Sequence, residues 1–146
     1  MEEKYNDQNI FMKIIRKEID ACHVYEDDLV IAIMDIMPHN PGHVLVIPKI
    51  PARDIFDSSQ EVLNRVMVVS RKIAGACKKA FQADGIQIMQ FNGCAAGQTI
   101  NHLHFHIIPC KNGDNTLHTH MDHQKKTTME NLESNAQKIR RELSAI

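Results

Sequence analysis

Between positions 101 and 109 the chain reads Asn101-His102-Leu103-His104-Phe105-His106-Ile107-Ile108-Pro109, with imidazole and apolar side chains in alternation. A period of two is the period of a β-strand, so the segment is predicted to be extended, with Leu103, Phe105 and Ile107 turned into a core. His102, His104 and His106 then share the opposite face, their Cα atoms about 6.6 Å apart in successive steps on an ideal strand. Nine histidines in 146 residues give such a spacing by chance in only about 3% of random arrangements. Each imidazole on a core strand also needs a hydrogen-bond partner, so packing alone gives no reason to place three there. Two chemistries fit the spacing: three ligands to a catalytic zinc, or a nucleophilic histidine held by its neighbours. Spacing leaves both open.

The surrounding pattern supplies a sheet for that strand. Asn9 is placed to cap a helix over 9–19, with Ile10, Phe11, Ile14 and Ile15 on its apolar face. Strands are predicted at 24–25, 29–33 and 43–47, the last stopped by Pro48, with the Pro- and Gly-bearing loop 37–42 before it. Ser58 with Glu61 forms a capping box. It opens a long amphipathic helix carrying Val62, Val66, Val69, Ile73, Cys77 and Ala80 and ending near Gly85. A fourth strand is expected over 86–91, a loop of small residues over 92–99, and the fifth strand over 102–108, closed by Pro109. Thr127 with Glu130 opens a last helix, with Leu132, Ala136, Ile139 and Leu143 on one face. Strands joined by turns with one long helix between the third and fourth predict an α+β fold on a mostly antiparallel, five-stranded sheet. The domain is expected over 9–111, with a loop and helix extension over 112–146.

Composition narrows the partners. Charged residues at 24% and apolar residues at 43% suit one globular domain. A net charge of −1 provides no field to attract nucleic acid or an anionic membrane. No apolar run nears the roughly 20 residues of a membrane span. Residues 1–8 are polar and acidic, unlike a secretory leader. Cys22, Cys77, Cys94 and Cys110 are scattered, as reduced thiols in a cytoplasmic chain would be. The cytoplasm is the expected location.

The triad His102-Leu103-His104-Phe105-His106-Ile107-Ile108 resembles the His-φ-His-φ-His-φ-φ motif of the histidine triad (HIT) family of nucleotide hydrolases and transferases. Met34-Asp35-Ile36, the run from Pro41 to Lys49, Phe91-Asn92-Gly93 and Ala96-Gly97-Gln98-Thr99 are similar to that family's other blocks, in the same order. The likeness spans about residues 9–110, and it favours the nucleophile over the metal. It implies that His104 attacks the α-phosphorus, that His106 contacts the α-phosphate, and that His102 hydrogen-bonds within the triad. His43 is similar to a fourth histidine reaching the site from the next strand. Asp35 would accept hydrogen bonds from both ribose hydroxyls. Ile33, Ile36 and Ile10 or Phe11 would line the base pocket. Asn92, Gln98 and Thr99 would serve the phosphates and the leaving group. The resemblance further implies a small-molecule nucleotide as substrate, a nucleotidyl-histidine intermediate, no cofactor and a homodimer paired through about residues 59–82 and 86–91. A third histidine at position 106, where the uridylyltransferase branch has glutamine, points to a hydrolase. The expected substrate is a purine nucleoside phosphoramidate or related mononucleotidyl compound. A dinucleoside polyphosphate hydrolase and a nucleotide-binding interaction protein are the alternatives.

The chain departs from the family in places. Several bacterial relatives hold a structural zinc through a Cys-x-x-Cys pair, whereas the matching positions here are Asn9 and Met12, so no zinc is expected. Cys110 stands where many relatives have arginine. His118, His120 and His123 form a second cluster in a polar stretch, read as a surface loop rather than a metal site.

Overall fold

In the computed structural model, which describes residues 4–114, 116 and 125–145, five strands form one antiparallel sheet. They are β1 (His23–Glu26), β2 (Val30–Met34), β3 (Val44–Pro48), β4 (Gly85–Met89) and β5 (Phe105–Cys110), in spatial order β1-β2-β3-β5-β4. Helix α1 (Ile10–Ile15) precedes the sheet, α2 (Gln60–Ala80) connects β3 to β4, and α3 (Met129–Ser144) ends the chain. The α+β architecture expected from the sequence is the one observed.

All five residues of β2 and of β3 are buried, which requires cover on both faces of the sheet. One face carries Val30, Ala32, Met34, Val44, Val46 and Ile107 against Val66, Val69 and Ile73 of α2 and Leu132, Ala136 and Ile139 of α3. The other carries Ile31, Ile33, Leu45 and Ile47 beneath Phe11 and Ile14 of α1. Alternation along each strand sorts its residues between these two layers. The functional side chains lie on the α1 side.

Several boundaries differ from the sequence reading, each for a local reason. Helix α1 stops at Ile15 because Lys17 takes a positive φ of 63°, where a right-handed helix cannot continue. The caps of α2 and α3 fall one residue later than expected. Ser59 accepts from Val62 N–H and Thr128 from Asn131 N–H, so neither predicted capping box forms. Thr127 instead donates its backbone N–H to the Ile36 carbonyl.

The triad segment is the most informative difference. Only His106 lies in β5; His104 directly precedes the strand, and His102 sits in a bend before it. The register Val44↔Ile107, Leu45↔His106, Val46↔Phe105, extended by two residues, would place Leu103 opposite Pro48. A proline has no N–H to continue the ladder. Leu103 donates to the Ala52 carbonyl instead. Pro109, expected to end the strand, lies within it opposite Ile86. Its carbonyl accepts from Asn40 Nδ2 at 2.9 Å, beyond the end of the β3 pairing, so no strand partner awaits the missing N–H.

Candidate active site

Strand alternation brings the site together. Ile33 and Asp35 project on the α1 side at the end of β2, His43 and Leu45 at the start of β3, and His106 beside Leu45 on β5. The reversal from β2 to β3 is tied by Met37 N–H to Asp35 Oδ1 at 2.8 Å and by Asp35 N–H to the His43 carbonyl at 3.0 Å. Gly42 makes the reversal possible. Its φ is +93° and a Cβ there would overlap the Phe81 ring, so any other residue would push the His43 end of β3 away from α2.

The four buried imidazoles have hydrogen-bond partners that set their tautomers. His104 Nδ1 lies 2.6 Å from the His102 carbonyl oxygen. A carbonyl can only accept, so Nδ1 carries the proton and Nε2 keeps the lone pair. His102 Nε2 donates in the same way to the Pro48 carbonyl at 2.8 Å. His39 N–H donates to His43 Nδ1 at 3.0 Å, so neutral His43 holds its proton on Nε2, which is 3.0 Å from His106 Nδ1. His106 is thereby an acceptor at Nδ1 and a donor at Nε2. The expected bond within the triad therefore comes from the His102 backbone carbonyl, and the His102 ring bonds elsewhere.

Burial keeps the His102, His104 and His106 rings neutral. It pushes His104 down to about 4 and, with the neighbouring His104 and His39, His106 down to about 3. Burial lowers His102 as well. Desolvation also pushes the Asp35 carboxyl up to about 6, opposed by its bond from Met37 N–H.

A cavity of about 320 Å³ opens over this face, within the size range of small-molecule sites. Asp35, Thr99, His104 and His106 give it a polar end, and Ile10, Phe11, Ile14, Ile33, Ile36 and Leu45 an apolar wall. Ile19, Asp20, Met37, Met129 and Leu132 also line it, and none of these five is marked as a site residue by the sequence. Nothing local marks Met129 and Leu132 as cavity residues, because α3 reaches the site only through the packed fold. Asn92 and Gln98 do not line the cavity. Asn92 pairs with the Gln90 amide and accepts from Ile55 N–H. Gln98 accepts from Gly93 N–H and donates to the Arg53 and Ile100 carbonyls. Both brace the loop that carries Thr99.

The metal reading can be tested on the donors. Among the described residues the one group able to converge on an ion is Asp35, His43 and His106, with ligand atoms within 4.8 Å of one another. His43 would have to bind through Nε2, which moves its proton to Nδ1 and into the His39 N–H. Two donors would then face each other, so the donor set does not suit a metal. At the positions of the relatives' cysteine pair, Asn9 caps α1 and Met12 is buried. His118, His120 and His123 lie outside the described residues.

The family model of the HIT domain matches residues 16–113. The chain is 36% identical over 133 residues to the protein hit of Bacillus subtilis, covering 88% of this chain and 92% of that one. An adenylylsulfatase of Arabidopsis thaliana is 38% identical over 105 residues, 72% of this chain and 53% of the plant protein. Among solved structures, a Hit-like protein of Bartonella henselae described as involved in cell-cycle regulation superposes with a TM-score of 0.87. It is 52% identical, with 95% of this chain and 99% of that one covered. Among the described residues no helix is long and apolar enough to cross a membrane.

Proposed function

The chain belongs to the histidine triad family, and from that premise we propose that it hydrolyses purine nucleoside phosphoramidates or related mononucleotidyl compounds at the α-phosphorus. The observation that carries this reading is the 2.6 Å bond from His104 Nδ1 to the His102 carbonyl. It leaves Nε2 unprotonated on a ring that lines the cavity. With its pKa lowered to about 4, that nitrogen is a free base at neutral pH.

In the proposed course His104 Nε2 bonds to the α-phosphorus and the bond to the leaving amine breaks, the amine taking a proton from solvent, to which the attacking water later returns one. The ring becomes cationic and keeps its Nδ1–H on the His102 carbonyl. Water then attacks the nucleotidyl-histidine and restores the free imidazole. His106 donates Nε2–H to an α-phosphate oxygen, and the His43 ring holds His106 in the tautomer that can do so. Thr99 on the rim serves the leaving group, while Asn92 and Gln98 act through the loop. Asp35 accepts from the ribose hydroxyls, and the apolar wall takes the base. These steps need positioning and charge stabilisation and no cofactor. Residues 9–111 supply the chemistry, and from the extension 112–146 Met129 and Leu132 of α3 contribute to one wall.

The plant relative named for adenylylsulfate hydrolysis supports a bond to an adenylyl phosphorus as the target. A cytoplasmic location is supported by four free cysteines, three of them buried.

A rapid acid quench tests the mechanism. With adenosine phosphoramidate, one nucleotide should be trapped on His104, His104→Ala should trap none, and a chiral phosphorothioate should be hydrolysed with net retention through two inversions. Net inversion would mean direct attack by water and would overturn the covalent step. Faster turnover of a diadenosine polyphosphate would replace the substrate class.

A further inference from the structure

The Tyr5 hydroxyl lies 2.6 Å from His102 Nδ1, yet Tyr5 does not line the cavity. We propose that Tyr5 is a positioning residue of the active site: its hydroxyl locks the His102 ring, and the locked residue presents a fixed carbonyl to the catalytic His104. This rests on the reading of His104 as the reacting imidazole.

The donors and acceptors run in one direction. His102 Nε2–H is spent on the Pro48 carbonyl, so Nδ1 of the neutral ring needs a donor. The ring is fully buried, leaving no water to provide one. The Tyr5 O–H is the donor the structure supplies. Its oxygen accepts in turn from Asn9 Nδ2 at 3.0 Å. Asn9 is itself fixed, because its Oδ1 caps α1 through Met12 N–H and its Nδ2 also reaches the Asn6 carbonyl. Each proton in the chain Asn9–Tyr5–His102–Pro48 therefore has one place.

The effect reaches His104 through a single peptide unit. The carbonyl that holds His104 belongs to His102, and the N–H of the same peptide is that of Leu103, bonded to Ala52 at 2.8 Å. With both ring nitrogens anchored, the Cα end of that unit cannot swing. The Phe11 ring adds a third restraint in edge-to-face contact, its centre 6.2 Å from that of His102 and 4.9 Å from that of His104. When His104 becomes cationic on reacting, its Nδ1–H bond to this carbonyl strengthens. A carbonyl left free to tilt would lose part of that gain and slow the step without touching substrate.

Tyr5→Phe removes the O–H and keeps the ring. Asn9→Ser keeps an oxygen able to cap α1 and removes the donor to Tyr5. The measurements are the His102 ring nitrogen resonances by NMR, the rate of nucleotide transfer to His104 from adenosine phosphoramidate, and KM. For Tyr5→Phe, the His102 Nδ1 resonance should move to that of an unbonded acceptor, and the rate should fall roughly tenfold at unchanged KM, as expected for one buried acceptor left unpaired. Asn9→Ser should shift both in the same sense by less. An unmoved His102 resonance in Tyr5→Phe, or a loss seen only in KM, would overturn the proposal. A wild-type protein that hydrolyses substrate without a covalent nucleotide overturns the nucleophile reading alone. The resonance and the hydrolysis rate then still decide whether Tyr5 positions His104.

Discussion

The buried imidazoles tie stability to pH with a definite sign. An unfolded chain holds His104 and His106 near the ordinary 6.5, whereas the folded protein holds them at about 4 and about 3. Above 6.5 neither state binds the protons and the stabilisation is complete. As pH falls through the window the unfolded state takes up protons that the folded state refuses, so stability drops until the folded values are reached. Asp35, raised to about 6 from 3.8, works in the opposite sense: the folded state binds its proton first, and stability rises as pH falls from about 6 to 3.8. That window is narrower than either histidine's, so the net effect of acidification is loss. Urea unfolding of the wild type should become easier from neutral pH to about 4.5. His106→Asn should recover on the order of 3 kcal/mol of that loss. A drop of the same size in the variant would show that His106 titrates normally in the folded protein.

At the scale of elements, the apolar periods of the sequence located the three α-helices and five strands, because each has a face that must be buried, but not the 3₁₀ turn Cys94–Ala96 in the loop. Boundaries were less legible. Adjacent Ser58 and Ser59, or Thr127 and Thr128, are equally good caps in isolation, and tertiary bonds such as Thr127 N–H to Ile36 decide which is used. The role of α3 was the least legible. Its apolar stripe announces a packed helix, but Leu132 serves both the core and the cavity while Met129, 62% exposed, edges the cavity. Met129→Ala should therefore leave the melting temperature nearly unchanged. It should raise KM several-fold, since losing Cγ, Sδ and Cε as a surface the ligand covers costs about 1 kcal/mol of binding. An unchanged KM would place the base away from α3.

For the whole molecule, we propose a homodimer through α2 and β4. Met67 and Val68 on the outer face of α2 and Ile88 on the edge strand β4 are each about half exposed, at 50%, 56% and 45%. Apolar groups beside an open strand edge are a surface that a monomer would be expected to cover. Gly75, where an added Cβ would meet nothing within 4 Å, lies exposed on α2. Ala76 by contrast is buried in the protomer's own core. Sedimentation at micromolar concentration should show twice the 16.6 kDa chain mass, and Val68→Glu should shift it toward the monomer. A single 16.6 kDa species in the wild type would refute this.

The sequence by itself determined the five strands and the alternation that sorts their side chains between two faces. Ile33, Leu45 and His106 are placed on one face by a period of two within short segments, and that period is a local property of the backbone. The tertiary structure alone decided which nitrogen each imidazole offers, because the partners are backbone groups oriented by the packed fold: Pro48 for His102, His39 for His43, and the His102 peptide for His104. It likewise decided that Asn92 and Gln98 brace a loop instead of facing the cavity, and that Tyr5 reaches His102 across 97 positions of chain. A hydrogen bond needs angstrom placement of two groups, and no pattern of residue types carries that distance.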